Sequence, residues 1–455
     1  MTVSTLFYYS LVTVLDAAAI LRALWRTQGV ERTLMWVFAI LAFPIVGALA
    51  FFLLANPSVR RTARRKKAAN TRVRDAHGRR AEERGGLPDT SLFALSTMLT
   101  GYTPSPGNRV EFFRESAVAF ARIESALRGA TKSIWAEYYI IRGDVTGQRF
   151  LSILAERARA GIEVRLLHDA VGSRGMNARL LKEITAAGGR VEAFHPLNPL
   201  RRRWSVHLRN HRKLLLVDGE LAFTGSMNVG DEYSGRLFKR GGKGFRDVHL
   251  EIEGPAVADL AGIFTEDWYF ATEETIRLDA TAPALPVGPA TVAALPSGPD
   301  QDFNASALVY FGGIAGARER VWLTSPYFIP DEPTLRALEE TALRGVDVRL
   351  LVPAESDAFL VGPAGRSYFP TLLKAGVRVF EYLPSLLHAK TMVVDAEWSF
   401  VGSANLDIRS FRLNFELGAL VADPEFARLL EEKFHDQARE SREVTVENLS
   451  ERGIW

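Results

Sequence analysis

Two stretches of the chain place a histidine two residues ahead of a lysine, at the head of an apolar run that ends in aspartate. The first is "NHRKLLLVDGELAFTGSMN", from Asn210 to Asn228, and the second is "HAKTMVVDAEWSFVGSAN", from His388 to Asn405. Aligned on their histidines without a gap, they agree at His, Lys, Val, Asp, Glu, Phe, Gly, Ser and Asn, half of the eighteen positions. Side chains alternate along a strand, so His211 and Lys213 project to one side, as do His388 and Lys390. The turn that follows returns Ser226 and Asn228, or Ser403 and Asn405, to the same neighbourhood. Two such sets gather two imidazoles, two ammonium groups and several neutral donors, which suits a phosphate diester better than a carbonyl or a sugar. A diester is anionic and its alkoxide leaving group is poor. Its cleavage needs charge neutralisation, a nucleophile and a proton for the departing oxygen. One histidine can attack phosphorus while the other serves as general acid and later as base. If Lys213 and Lys390 supply the positive charge, no metal and no other cofactor is required. Lysines beside the histidines repel a cation, and the chain has no cysteine and no HExxH pattern, so zinc is disfavoured. A single histidine at a strand edge is usually a hydrogen-bonded bystander; the repetition argues for chemistry. The remaining histidines show no such pairing.

The scaffolding around the two sets is repeated as well. "SIWAEYYIIRGD" (Ser133 to Asp144) answers to "RVWLTSPYFIPDE" (Arg320 to Glu332), each a short aromatic-rich strand ending in a polar turn. "FLSILAERARAGIEVRLLHD" answers to "TLRALEETALRGVDVRLLVP", with apolar residues at helical spacing, a glycine just past the helix (Gly161, Gly345) and a Val/Leu-rich strand. This pattern predicts an α/β fold of two α/β/α lobes related by a pseudo-twofold axis, with mixed or mainly parallel sheets. The lobes fall at residues 106–278 and 303–455, joined by a Pro-, Ala- and Gly-rich linker over 279–302. Sites in such sheets lie at strand ends and domain interfaces, so the two histidine sets are expected to face each other across the axis.

A chain of 455 residues exceeds what one core usually supports, and its start reads as membrane. Leu34 to Ala55 is an uncharged run of 22 residues, long enough as a helix to cross a hydrocarbon core of roughly 30 Å. Leu6 to Trp25 is a weaker run because it carries Asp16 and Arg22. Residues 1–58 are accordingly expected to form a two-helix transmembrane hairpin. "MTVSTLFYYS" lacks the basic start of a cleaved signal peptide. A basic linker is expected over 59–105, where Arg60 to Arg84 carries a net +8, matching a cytoplasmic end and a segment able to lie against anionic lipid. With +1 before that segment and +3 for the whole chain, the residues after Arg84 carry −6, which counts against nucleic acid as a partner. Two weaker signals are the basic run around Trp204, which could steer anionic headgroups or be a plain solvated loop, and "KRGGKGF" (Lys239 to Phe245), which could be a flap or a turn.

The paired "HRKLLLVD...GSMN" and "HAKTMVVD...GSAN" resemble the HKD motifs of the phospholipase D superfamily. Within it, "EYYIIRGDVTGQRFL", "LLHDAVGSRG", "GSMNVGDEY", "SPYFIPDE", "GPAGRSYFPTLLKAGVRVFEY" and "NLDIRSFRLNFE" look like bacterial cardiolipin synthases, from the hairpin almost to the C-terminus. The resemblance implies a membrane-bound phosphatidyltransferase of the bacterial inner membrane, multi-pass, with its soluble lobes in the cytoplasm. Its partners would be phosphatidylglycerol and cardiolipin in the bilayer, joined through a phosphohistidine. It implies that His211 is the nucleophile and that His388 protonates glycerol and then activates the acceptor. Lys213, Lys390, Asn228 and Asn405 would hold phosphate oxygens, with Ser226 and Ser403 nearby, and Asp247 and Glu416 would orient the histidine rings. The motif aspartates Asp218 and Asp395 complete the HKD pattern but begin turns, which reads as structural. Water as acceptor would make the same residues a phospholipase D, another alcohol a different transferase. A nuclease-type phosphodiesterase is a more distant reading.

Overall fold

The computed structural model describes residues 3–25, 30–54, 57–76, 91–196, 207–239, 244–278 and 285–450. The chain divides into two units, Met1–Thr62 and Ala63–Trp455. In the first, α1 (Val3–Leu24), α2 (Val30–Ala42) and α3 (Val46–Leu54) enclose a small core of Ala19, Ala23, Ile40, Ala48 and Phe51. The apolar run from Leu34 to Ala55 is therefore not one helix. It breaks at Phe43–Ile45, because Pro44 has no N–H and crowds the residue before it, and Ile45 takes a positive φ of 66°. Asp16, the polar residue inside the other run, accepts the N–H of Ile45 at 3.1 Å, so the two interruptions answer each other. With 13 and 9 residues, α2 and α3 rise roughly 20 Å and 14 Å. Among the described residues no helix is long and apolar enough to cross a membrane.

The second unit is built on a mixed sheet of sixteen strands. The first half supplies β1 (Ser105–Phe113), β2 (Ser133–Tyr138), β3 (Glu163–Asp169), β4 (Arg190–Phe194), β5 (Arg209–Asn210), β6 (Lys213–Val217), β7 (Leu221–Gly225), β8 (Phe245–Arg246) and β9 (His249–Glu253). The second half supplies β10 (Ala290–Ser297), β11 (Arg320–Thr324), β12 (Phe328–Ile329), β13 (Asp347–Pro353), β14 (Arg378–Tyr382), β15 (Leu386–Leu387) and β16 (Thr391–Val394). It continues with β17 (Trp398–Gly402), β18 (Leu406–Asp407), β19 (Asn414–Ala422) and β20 (Ser441–Val444). From the central β1/β10 pair the order reads β9-β7-β6-β2-β3-β4 outward on one side and β19-β17-β16-β11-β13-β14 on the other, with β20 added at the edge. This is the pseudo-twofold repeat expressed as topology. Strands such as Lys213–Val217 are buried along their whole length, as expected where helices cover both faces. Each half has its own apolar core.

Two features of this unit depart from the sequence expectation. The segment read as an interlobe linker contains the central strand β10, which pairs with β1 and β19 and joins the halves into one sheet. Pro296 is tolerated there because β1 pairs only with Ala290 and Val292, leaving the proline's other edge free. The segment read as a basic linker begins with helix α4 (Pro57–Ala76). Thr62, Ala63, Lys66, Ala69 and Val73 recur at helical spacing and are buried.

Candidate active site

The two histidines are positioned by short strands that cross between the halves. β5 pairs in parallel with the start of β19, and the N–H of His211 continues the ladder to the carbonyl of Phe415 at 2.8 Å. In the mirror arrangement β15 pairs with β8, and the N–H of His388 donates to the carbonyl of Arg246 at 2.8 Å. Each histidine thereby meets an acid from the opposite half. His211 Nδ1 lies 2.7 Å from Glu416 Oε2, and His388 Nδ1 lies 2.8 Å from Asp247 Oδ2. A carboxylate on Nδ1 fixes the tautomer and leaves Nε2 for chemistry. Lys213 Nζ donates to the carbonyl of His211 at 2.6 Å and faces the Tyr139 ring, while Lys390 Nζ donates to the carbonyl of His388 at 2.5 Å and lies 3.0 Å from both ring nitrogens of His388. Tyr139 stands edge-on to His211, and Tyr233 and Phe245 close around His388.

These groups act on one another across the axis. Burial, with the charges of Lys213 and Lys390, lowers the His211 imidazole to about 4 against the opposing pull of Glu416. Burial, Lys390 and Lys213 also lower His388, opposed by Asp247. Lys390 itself is brought down to about 8 by burial, with Asp247 and Glu416 opposing, and burial and the Lys390 charge lower Lys213 well below its ordinary value against Glu416. Both carboxyls resist the upward push of burial and stay below the usual range, Asp247 through His388 and Lys390, Glu416 through His211 and Lys213. The site thus holds neutral imidazoles in a field that favours an arriving anion.

Both histidine sets fall within the residues that a family model matches. The model of the cardiolipin synthase, phospholipase D-like domain matches residues 123–268 and 311–438, and that of the phospholipase D-nuclease N-terminal region matches residues 14–56. The cardiolipin synthase of Halalkalibacterium halodurans is 36% identical over 435 residues, 93% of this chain and 86% of that one. That of Geobacillus kaustophilus is 37% identical over 431 residues, 92% and 85% of the two chains. The chain belongs to the cardiolipin synthase family. In fold it is also similar to the phosphatidylserine synthase of Haemophilus influenzae, with a TM-score of 0.59 at 16% identity, over 78% of this chain and 92% of that one.

In this member of the cardiolipin synthase family the motif residues divide into two groups. Ser226 donates to Asp247 and lies beside the carbonyl of Val248, and Ser403 donates to Glu416, so both hydroxyls hold the acids behind the histidines instead of standing free for phosphate. Asn228 Oδ1 accepts the N–H of Ile140 at 3.2 Å, and Asn405 Nδ2 reaches Asp407 at 3.5 Å. Asp218 and Asp395 lie at the far ends of β6 and β16 from the lysines. Asp218 accepts backbone N–H groups of Thr131, Lys132 and Ser133, which hold its carboxyl low against burial, and Asp395 accepts those of Arg318, Glu319 and Arg320. They fasten the hairpin turns to the starts of β2 and β11. Sequence reasoning did not find Asn414, whose Nδ2 donates to Glu416 Oε1 at 3.0 Å, nor Arg212, nor Tyr233. Trp204 and residues 240–243 lie outside the described residues.

Proposed function

We propose that this chain condenses two phosphatidylglycerol molecules into cardiolipin and glycerol. The observation that carries the reading is the crossed pair of histidine–carboxylate contacts, each with a lysine. Nε2 of His211 attacks phosphorus of the donor lipid, the phosphorus–oxygen bond to glycerol breaks, and the imidazolium of His388 gives that oxygen its proton. The neutral His388 then takes the proton of an acceptor glycerol hydroxyl, whose oxygen attacks the phosphatidyl-His211, freeing the first histidine. Lys213, Lys390, Asn228 and Asn405 offset charge on the non-bridging oxygens. An acceptor lipid held at the bilayer surface competes with water by its effective concentration, which favours transfer over hydrolysis.

The same proposal attaches the protein to the bacterial inner membrane through its first unit, with the lobes in the cytoplasm. Trp25, Phe38, Phe43 and Val46 are 90%, 77%, 66% and 68% exposed, an apolar surface that suits lipid better than water. A two-pass hairpin requires α2 and α3 to cross together as one kinked rod. A cysteine at Gln28, in a chain with no other, separates that from a wedge entering one leaflet: labelling from outside the cell supports the hairpin, and labelling only after permeabilisation rejects it.

The decisive experiment gives purified protein, in detergent with chelator, headgroup-labelled phosphatidylglycerol alone. Cardiolipin formed in step with free glycerol is expected, at a rate EDTA does not change. Phosphatidic acid in its place would make water the acceptor, and loss of the reaction with EDTA would overturn the lysine-based charge scheme.

A further inference from the structure

Lys66 lies in the most basic part of the chain, yet its side chain is fully buried, as is that of its partner Asp267. A buried ammonium must be paired to be tolerated. Its nitrogen lies 2.6 Å from Asp267 Oδ1, donates to Asn70 Oδ1 at 2.5 Å, and sits 5.8 Å from the centre of the Phe270 ring. Asn70 in turn donates to Asp300 at 3.0 Å. The other oxygen of Asp267 takes the guanidinium of Arg212, the residue between His211 and Lys213. Arg212 Nε donates at 3.1 Å to the backbone carbonyl of Glu416, and its own N–H donates to Asn210. Glu416 is the residue whose carboxylate holds His211. A continuous set of contacts therefore runs from α4 through Asp267 and Arg212 to both sides of the His211–Glu416 pair. The second half has Ala389 at the position of Arg212, and there the backbone carbonyl of Asp247 is held instead by the ammonium of the buried Lys433, at 3.0 Å.

Two further acids surround this cluster. Burial and the Asp267 charge push the Glu137 carboxyl well up, and Asp300 is also raised by burial. With Lys66 removed, Arg212 would face Asp267, Glu137 and Asp300 without the Lys66 ammonium, and its hold on the Glu416 carbonyl would compete with theirs.

We propose that Lys66 is a positioning residue for His211, acting through Asp267 and Arg212 to fix the strand on which the histidine and its acid meet. This rests on His211 being the attacking residue. His211→Ala tests that separately, since substantial remaining turnover there would sink the mechanism itself, whatever Lys66 does.

The test measures turnover per active site, counting sites by the burst of labelled leaving group, for K66M, K66R and K67M in the full-length protein. Lys67 is next in sequence, but its ammonium is exposed and pairs with the exposed Asp302. K66M is expected to lower turnover per site about 10- to 100-fold with KM within twofold, as displacement of a reacting group does. K66R should recover most of the rate, and K67M should behave as wild type. If K66M does not fold, N70A reads the same path by removing the second acceptor of the Lys66 ammonium, with a loss of about 3- to 10-fold expected. Fewer active sites or a lower Tm with an unchanged rate per site would make Lys66 structural only and overturn the proposal. Equal losses in K66M and K67M would overturn it too.

Discussion

His211 meets Glu416 at 2.7 Å and His388 meets Asp247 at 2.8 Å, yet the cations beside the two rings are arranged differently. Both lysines donate to the backbone carbonyl of their own histidine, but Lys390 Nζ also touches the His388 ring, whereas Lys213 Nζ faces the Tyr139 ring. Arg212 locks the first motif from behind, and the second has alanine there. The same motif thus yields two environments. In the first, a rigidly held imidazole stays neutral, as a nucleophile must. In the second, an ammonium against the ring disfavours imidazolium until an anionic phosphate enters and offsets it, so the proton for the leaving group is acquired with the substrate.

The largest effect that could break this comparison comes from replacing each histidine and varying the leaving group. With phosphatidylglycerol, H388A is expected to lose on the order of 10²- to 10⁴-fold and H211A on the order of 10⁶-fold. With an acidic phenol as leaving group, H388A should recover the first chemical step, seen as a phenol burst, while H211A should remain inactive. Recovery of H211A in place of H388A would reverse the two roles. The pH profile gives a smaller but sharper reading. His211 is held to about 4, so it is neutral above that pH and becomes protonated below it. The acid limb of kcat/KM for the phenol substrate should therefore lie near pH 4, and a limb near that of free histidine would contradict the buried, lysine-flanked environment. The smallest effect concerns the hairpin turns. Asp218 and Gly219 both have positive φ, and the second copy places Asp395 and Ala396 in the same conformation. Glycine adopts that conformation without steric cost and alanine does not, so A396G should stabilise the protein by about 1 kcal/mol and G219A destabilise it comparably, both read from Tm.

The repeated motif was legible because the strand period alone puts His and Lys on one side. Which acid serves which histidine was not, because partners 205 and 141 residues apart meet only when the halves dock. Ser226 and Ser403 sit where a phosphate ligand would be expected, but the strand that follows brings a carboxylate within reach first. The central strand β10 was hidden by its composition: Ala290, Ala293 and Ala294 read as linker, yet small side chains suit a strand packed between two others. Lys66 was hidden by its neighbours' charges, although the spacing of Ala63, Lys66, Ala69 and Val73 already marks one face of a helix.

The exchange of acids between halves also bears on how the protein is made. A ribosome that has just added His211 has 205 residues still to add before Glu416, a delay of about 10–40 s at ordinary elongation rates. Throughout that interval the nascent first half has its histidine and lysine but no acid behind the ring. Activity should therefore appear only when the last partner arrives, and a chain stalled or cleaved midway would hold lipid-modifying residues in an inert form.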